Sequence, residues 1–137
     1  WYGDHRDLHL SLRRQRQMCI RDSIIEVHKD SWEKYGFDRE SALMIKDTGE
    51  DGYDFYINMD NIYLLTEIKG RVGIDPEVLE AQYKYGMILI GMSLLRVLEE
   101  KEEESVYEKI SEITRAISPV LLPMIATLGG LNREWIY

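Results

Sequence analysis

Hydrophobic positions in the last third of the chain recur at steps of three and four. Val106, Ile110, Ile113, Ile117, Leu121, Met124 and Leu128 fall on one stripe, and Glu108, Ser111, Glu112 and Arg115 fall on the other side. That period belongs to an α-helix with one buried face. Pro119 and Pro123 lie inside the stripe. A proline has no backbone donor, so either Ser118-Pro119 ends one helix and caps the next, or one helix kinks. Gly129-Gly130 is expected to terminate it.

A second helix is predicted upstream, from about Pro76 to Glu100. Asp75 caps free N–H groups, and Pro76 suits the first helical position, where a missing donor costs nothing. Glu77 and Glu80 favour the positive end of the dipole. The middle is apolar nearly all round, with Tyr83, Tyr85, Met87, Ile88, Leu89, Ile90, Met92, Leu94 and Leu95. Such a helix calls for cover on most sides. Gly86 and Gly91 each cost about 1 kcal/mol against Ala in a helix, so close approach of a neighbour is expected there. The run Glu99–Glu104 is a solvated helix end and turn, with an acidic docking patch as the other reading. The two helices together make an antiparallel hairpin.

The first half is mixed and aromatic. Tyr53, Phe55 and Ile57 alternate with Asp54 and Tyr56, the period of a half-buried strand. Ser41–Lys46 is a short apolar run, and Asp47–Gly52 is dense in turn residues, so a hairpin 41–46/53–58 is predicted. Asn58–Asn61 reads as a second turn and Ile62–Lys69 as a third strand. Ile24–Val27 can end a further strand, and Asp30-Ser-Trp-Glu33 can start a short helix that Gly36 stops. The fold class expected is α+β: a small antiparallel sheet of about three strands followed by the long helical hairpin.

Composition narrows the function. The chain has 137 residues, 45% hydrophobic and 31% charged, enough for one domain with a modest core. A net charge of −8 argues against an electrostatic grip on nucleic acid or an anionic membrane, so neither is expected as a partner. A single cysteine, Cys19, excludes an internal disulfide framework and a Cys-rich zinc site. The longest apolar run, Tyr85–Leu95, is broken by Gly86, Gly91 and Ser93 and stopped by Arg96, too short to span a membrane. No signal peptide is evident, and the cytoplasm is the expected location, although an upstream segment could carry a targeting signal.

Residues 16–23, Arg-Gln-Met-Cys-Ile-Arg-Asp-Ser, resemble a translated sequencing-library adapter. Residues 1–23 are accordingly expected to be non-native and disordered, and 24–137 to form a single α+β domain. Setting the segment aside removes Cys19, His5, His9 and the arginines between 13 and 21, and with them any metal cluster or basic arm. The remainder carries −10, since the segment holds five arginines against Asp4, Asp7 and Asp22. A hybrid reading frame further implies a truncated gene, whose product extends upstream of Ile24 and need not end at Tyr137.

Candidate chemistry is sparse. If Ile62–Lys69 is a strand, Glu67 and Lys69 share one face, and Asp54 on a neighbouring strand completes the pattern of a PD-(D/E)xK metal-dependent nuclease. In that pattern two carboxylates hold Mg²⁺ and the lysine steadies charge at the phosphate. The core charge opposes a polyanionic substrate, no proline precedes Asp54, and a salt-bridged outer strand face explains the same residues. Glu50, Asp51, Asp54 and Asp60 lack the spacing of a calcium loop. His28 has no Ser or Cys in a recognisable triad context. Gly70-Arg-Val-Gly73 is a loop rather than a phosphate cradle. No metal ligand set is assigned.

Asp54–Leu64 (DFYINMDNIYL), Tyr83–Leu94 (YKYGMILIGMSL) and Ala116–Met124 (AISPVLLPM) together resemble the C-terminal region of bacterial ATP-binding proteins of the GHKL type, the group of histidine kinases, gyrase and MutL. The resemblance spans about residues 30–130 and contains none of the group's nucleotide-binding motifs. It implies that ATP and Mg²⁺ bind in a missing upstream domain, that no cofactor binds this fragment, and that the fragment transmits or scaffolds by packing. The residues expected at the interface are Tyr85, Met87, Ile88, Ile90, Met92, Leu95, Ile117, Leu121 and Met124. The partner expected is the upstream domain of the same protein or a second subunit. The reading is thus a non-catalytic interaction region of a larger ATP-binding protein, with a nuclease fragment (Asp54, Glu67, Lys69) and a standalone helical dimerisation module as alternatives.

Overall fold

The computed structural model describes residues 22–49, 52–101 and 104–136, with side chains as far as residue 128. Three strands form one sheet: β1 (Ser23–Val27), β2 (Leu43–Asp47) and β3 (Tyr53–Asn58). Helix α1 (Trp32–Tyr35) follows a single 3-10 turn at Lys29–Ser31 and ends at Gly36, whose φ of 70° is open to glycine at no steric cost. Helices α2 (Ile62–Gly70), α3 (Pro76–Glu100) and α4 (Val106–Ile136) complete the chain. The class is α+β, and α3 and α4 pack against each other as the expected hairpin.

The sheet is mixed, with order β1-β3-β2. β2 pairs antiparallel with β3 through Ile45 opposite Phe55, as the alternation predicted. β1 pairs parallel with β3 through Ile25 opposite Tyr56. The third strand is therefore Ser23–Val27, and the strand expected over Ile62–Lys69 is helix α2 instead. The reason is local. Asn61 lies just before the segment, and its side-chain oxygen accepts the free N–H groups of Tyr63 (2.9 Å) and Leu64 (3.2 Å). Arg71 and Glu67 then close an i,i+4 pair at 2.6 Å. A run rich in β-branched and aromatic residues is thus held helical by its cap and by the burial of Leu64.

One sheet face carries Leu43, Ile45, Phe55 and Ile57, each at most 2% exposed. Against it lie Tyr83, Met87, Ile88 and Leu95 of α3 and Ile110 and Leu122 of α4, forming a single core. Gly91 faces Leu43 so closely that a Cβ there would collide with the Leu43 side chain. Gly86 admits Leu121, whose Cδ2 would lie 3.0 Å from an added Cβ. Both helix glycines thus mark close approaches, as their cost suggested. On the opposite sheet face Tyr56 packs its ring 4.7 Å from that of Tyr35.

Helix α4 runs unbroken through Pro119 and Pro123. Pro119 leaves the carbonyl of Arg115 without its amide, and the Ser118 hydroxyl donates to that carbonyl at 2.8 Å. The stop expected at Gly129-Gly130 does not occur, for the helix continues to Ile136. A glycine pair permits a left-handed stop without enforcing one. At the other end, Ser23 belongs to β1, and the Asp22 carboxylate accepts the Tyr53 amide at 2.8 Å. His5, His9, Cys19 and residues 50–51 lie outside the described residues.

Candidate interaction surface

Each long helix carries a buried row and an exposed row, both repeating every four residues. In α3 the buried row is Leu79, Tyr83, Met87, Gly91 and Leu95. Two positions along, the row Ala81, Tyr85, Leu89 and Ser93 is exposed. In α4 the buried row is Ile110, Thr114, Ser118 and Leu122, and two positions along, Ala116, Val120, Met124 and Leu128 are exposed. Two residues correspond to about 200° of helical rotation, so each exposed row lies on the side opposite its buried row. Because the buried rows face the sheet, the exposed rows form the outer face of the hairpin.

That face is apolar. Tyr85 is 56% exposed, Leu89 66%, Val120 52%, Met124 55% and Leu128 61%. The neighbouring charges have partners, and one of them touches this face: Lys84 Nζ lies 4.9 Å from the centre of the Tyr85 ring. Lys84 reaches back to Glu26 on β1, with Nζ 2.9 Å from Oε2. The hydrogen bond to Glu26 raises its pKa above the ordinary lysine value, against a smaller opposing effect of partial burial. Arg96 and Glu100 pair at 3.5 Å beyond the end of the α3 row.

The nine residues expected at the interface divide accordingly. Tyr85 and Met124 lie on the outer face. Met87, Ile88 and Leu95 are sealed inside the chain's own core, at 0%, 2% and 6% exposure. Ile90, Met92, Ile117 and Leu121 are half-buried, and the last three of these pack against that core. The sheet and partner helix thus cover more of α3 than its all-round apolarity suggested. Leu89, Val120 and Leu128 belong to the outer face and were not in the expected set. No pattern in the sequence marked them out, since the buried rows Leu79-Tyr83-Met87-Gly91-Leu95 and Ile110-Thr114-Ser118-Leu122 are equally free of charge.

The residues of the nuclease pattern are not brought together on strands. Asp54 is on β3, with its Oδ2 accepting the Tyr56 hydroxyl at 3.4 Å. Glu67 and Lys69 are on helix α2, and the Glu67 carboxylate is engaged by Arg71. Residues 67 and 69 are then about 200° apart rather than on one face, so the arrangement that pattern requires is not formed. His28 lies 3.5 Å from Asp60, whose carboxylate also accepts the Lys29 amide at 2.7 Å. Among the described residues no group of three or more His, Cys, Asp or Glu side chains is arranged to hold a metal ion. Nor is any helix long and apolar enough to cross a membrane.

A concavity of about 500 Å³ lies between α1, the following loop and α4, lined by Trp32, Phe37, Asp38, Arg39, Glu40 and Arg115. Asp38, Glu40 and Arg115 among them are paired. Arg115 donates to both Asp38 carboxylate oxygens at 2.9 Å and to Glu40 at 2.9 Å, clamping α4 to the loop. Partial burial pushes the Asp38 carboxyl up, but Arg115, the Glu40 amide and the Ser41 hydroxyl outweigh it and hold its pKa below the usual aspartate value. A lowered folded-state pKa contributes stability above the unfolded pKa and loses it as pH falls through the folded value. The groups are largely exposed, so Arg115→Ala is expected to cost under about 1 kcal/mol at neutral pH. In urea titrations the gap between variant and wild type closes as pH drops below the ordinary aspartate value of about 3.9. A gap that persists undiminished in strong acid contradicts this.

No protein-family model, curated protein or solved structure matches the chain.

Proposed function

We propose that this chain is a non-catalytic interaction region, and that the outer face of its helical hairpin docks against another domain of a larger parent protein or against a second subunit. The observation that carries the reading is the pair of uncharged exposed rows, Ala81-Tyr85-Leu89-Ser93 and Ala116-Val120-Met124-Leu128, on helices whose opposite rows are already buried. Contiguous exposed apolar surface of this kind is more typical of an interaction site than of a solvated helix face. Where the GHKL resemblance holds, the docking domain is the ATP-binding one, and this region scaffolds or transmits rather than reacts.

The test pairs stability with binding. Leu89→Glu combined with Met124→Glu changes two residues that are more than half exposed. The variant should keep its far-UV circular dichroism and its stability within about 1 kcal/mol of wild type, the range for surface changes. It should lose association, measured by sedimentation for self-contact and by calorimetry with any further domain that the full gene encodes. A variant that unfolds places these residues in the core. A wild-type chain that associates in neither assay removes the docking role.

A further inference from the structure

The loop that walls the concavity beside α1 is fixed at every residue from 38 to 41. Its four consecutive carbonyls are all held from the turn between β3 and α2. The Asn58 side chain donates to those of Asp38 at 3.0 Å and Ser41 at 2.9 Å. The Asn61 side chain donates to those of Glu40 at 3.3 Å and Ser41 at 2.9 Å, and the Ile62 amide to that of Arg39 at 2.7 Å. Both asparagines are fully buried. The Asp38 carboxylate also accepts the amides of Glu40 at 2.9 Å and Ser41 at 3.0 Å.

One side chain escapes this network. Asp38 and Glu40 are engaged by Arg115, and the Ser41 hydroxyl donates to Asp38. Arg39 also lines the concavity, but among the described residues its guanidinium makes no hydrogen bond or ion pair. The other walls are two half-buried rings. The Trp32 indole N–H is committed to Asn58 at 2.8 Å, so that ring is fixed and offers surface rather than a donor. Phe37 lies against the Tyr35 ring, with centroids 6.2 Å apart, and its amide donates to the Trp32 carbonyl at 3.0 Å.

We infer that this concavity binds a small aromatic anion, whose flat ring packs against Trp32 and Phe37 while the Arg39 guanidinium takes its carboxylate or phosphate oxygens. The volume of about 500 Å³ falls in the range of small-molecule sites, roughly 300–1,000 Å³, which combine aromatic walls with a few placed polar groups. Charge selects the sign of the ligand. Both Asp38 oxygens accept from Arg115, Glu40 Oε2 does the same, and Glu40 Oε1 accepts the Tyr63 hydroxyl at 3.5 Å. A cation therefore finds no open acceptor there, whereas an oxyanion finds an uncommitted fork of donors suited to two parallel bonds. Rigidity favours binding as well, because a loop held at every carbonyl loses little freedom when a ligand arrives.

The experiment is an NMR titration of the ¹⁵N-labelled full chain with benzoate, phenyl phosphate and benzylamine. Benzoate, phenyl phosphate or both should shift the Trp32 indole N–H and the Phe37 and Arg39 amides saturably, and benzylamine should not. Binding of benzoate alone identifies a carboxylic acid, and of phenyl phosphate alone a phosphate monoester; either supports the inference. Arg39→Gln should weaken binding at least about tenfold, the loss of a contact to a charged group. Because the loop is held through the Arg39 carbonyl rather than its side chain, the probe-free spectrum of that variant should match wild type away from position 39. Arg39→Lys keeps the charge without the fork and should weaken binding less than Arg39→Gln. No saturable shift with either anion into the millimolar range overturns the inference. Benzylamine binding as tightly as the anions overturns it, as does Arg39→Gln binding as well as wild type. The inference does not depend on the docking role of the hairpin, so either can fail alone.

Discussion

Asn58→Leu should lower the stability of the fold by about 3 kcal/mol, because it leaves two polar groups without partners at once. Asn58 is fully buried at the end of β3. Its side-chain oxygen accepts the Trp32 indole N–H at 2.8 Å and the Asp60 amide at 3.1 Å. Its amide nitrogen donates to the carbonyls of Asp38 at 3.0 Å and Ser41 at 2.9 Å. One residue thus ties α1, the 38–41 loop and the turn before α2 to the central strand. Leucine has a similar volume and forms none of these bonds. The Ser41 carbonyl retains a bond from Asn61 at 2.9 Å and the Asp38 carbonyl one from the Ser41 amide at 3.2 Å, so the loss falls on the Trp32 indole N–H and the Asp60 amide. The expected fall in melting temperature is roughly 10 °C for a domain of this size. A change of only a degree or two would mean that water replaces the network at little cost.

Gly91→Val should destabilise by a similar amount, about 3 kcal/mol, through overpacking. A Cβ at 91 enters space held by Leu43 and would lie 3.5 Å from Ile45 Cδ1, and both of these side chains are at most 2% exposed with nowhere to swing. Valine adds two further carbons in the same place. Gly86→Ala is the internal comparison. Its Cβ meets only the tip of Leu121, a half-buried side chain that can rotate, and alanine gains about 1 kcal/mol of helix propensity. Gly86→Ala should therefore stay within about 1 kcal/mol of wild type. Urea unfolding followed by circular dichroism ranks the variants, and equal midpoints for Gly91→Val and wild type would contradict the close approach of α3 to β2.

These two sites show how far the sequence could be read. The cost of glycine in a helix pointed to close approach at positions 86 and 91, and both are contact points, but no pattern said which strand or helix would arrive. The alternation of Tyr53, Phe55 and Ile57 and the turn after Asp47 gave the β2–β3 hairpin, since alternation and turn chemistry are local. The parallel pairing of β1 with β3 is a long-range choice that neither strand's own pattern encodes. Ile62–Gly70 misled because β-branched and aromatic residues favour a strand until the Asn61 cap is recognised, and Asn61 had been assigned to a turn. The same segment, Asn58–Asn61, holds the buried asparagine network, which composition alone renders as turn residues.

The candidate surface was legible only in part for a related reason. The apolarity of α3 indicated that it needs cover, but not how much the sheet and α4 supply. Met87, Ile88 and Leu95 proved to be covered from within, whereas Tyr85 and Met124 did not. Absence of charge does not separate the two groups either, because the buried row through Met87 and Leu95 is as free of charge as the exposed row through Tyr85 and Leu89.

The central claim is that the outer rows of the hairpin are where this chain meets its partner. The most direct test is a map of NMR amide and methyl shifts on isotopically labelled chain, first against its own concentration and then against any further domain that the full gene encodes. The account predicts perturbations concentrated at Tyr85, Leu89, Val120, Met124 and Leu128, with Trp32, Phe37 and the 38–41 loop unmoved. Perturbations centred on that loop, or none on the hairpin under either condition, would contradict it.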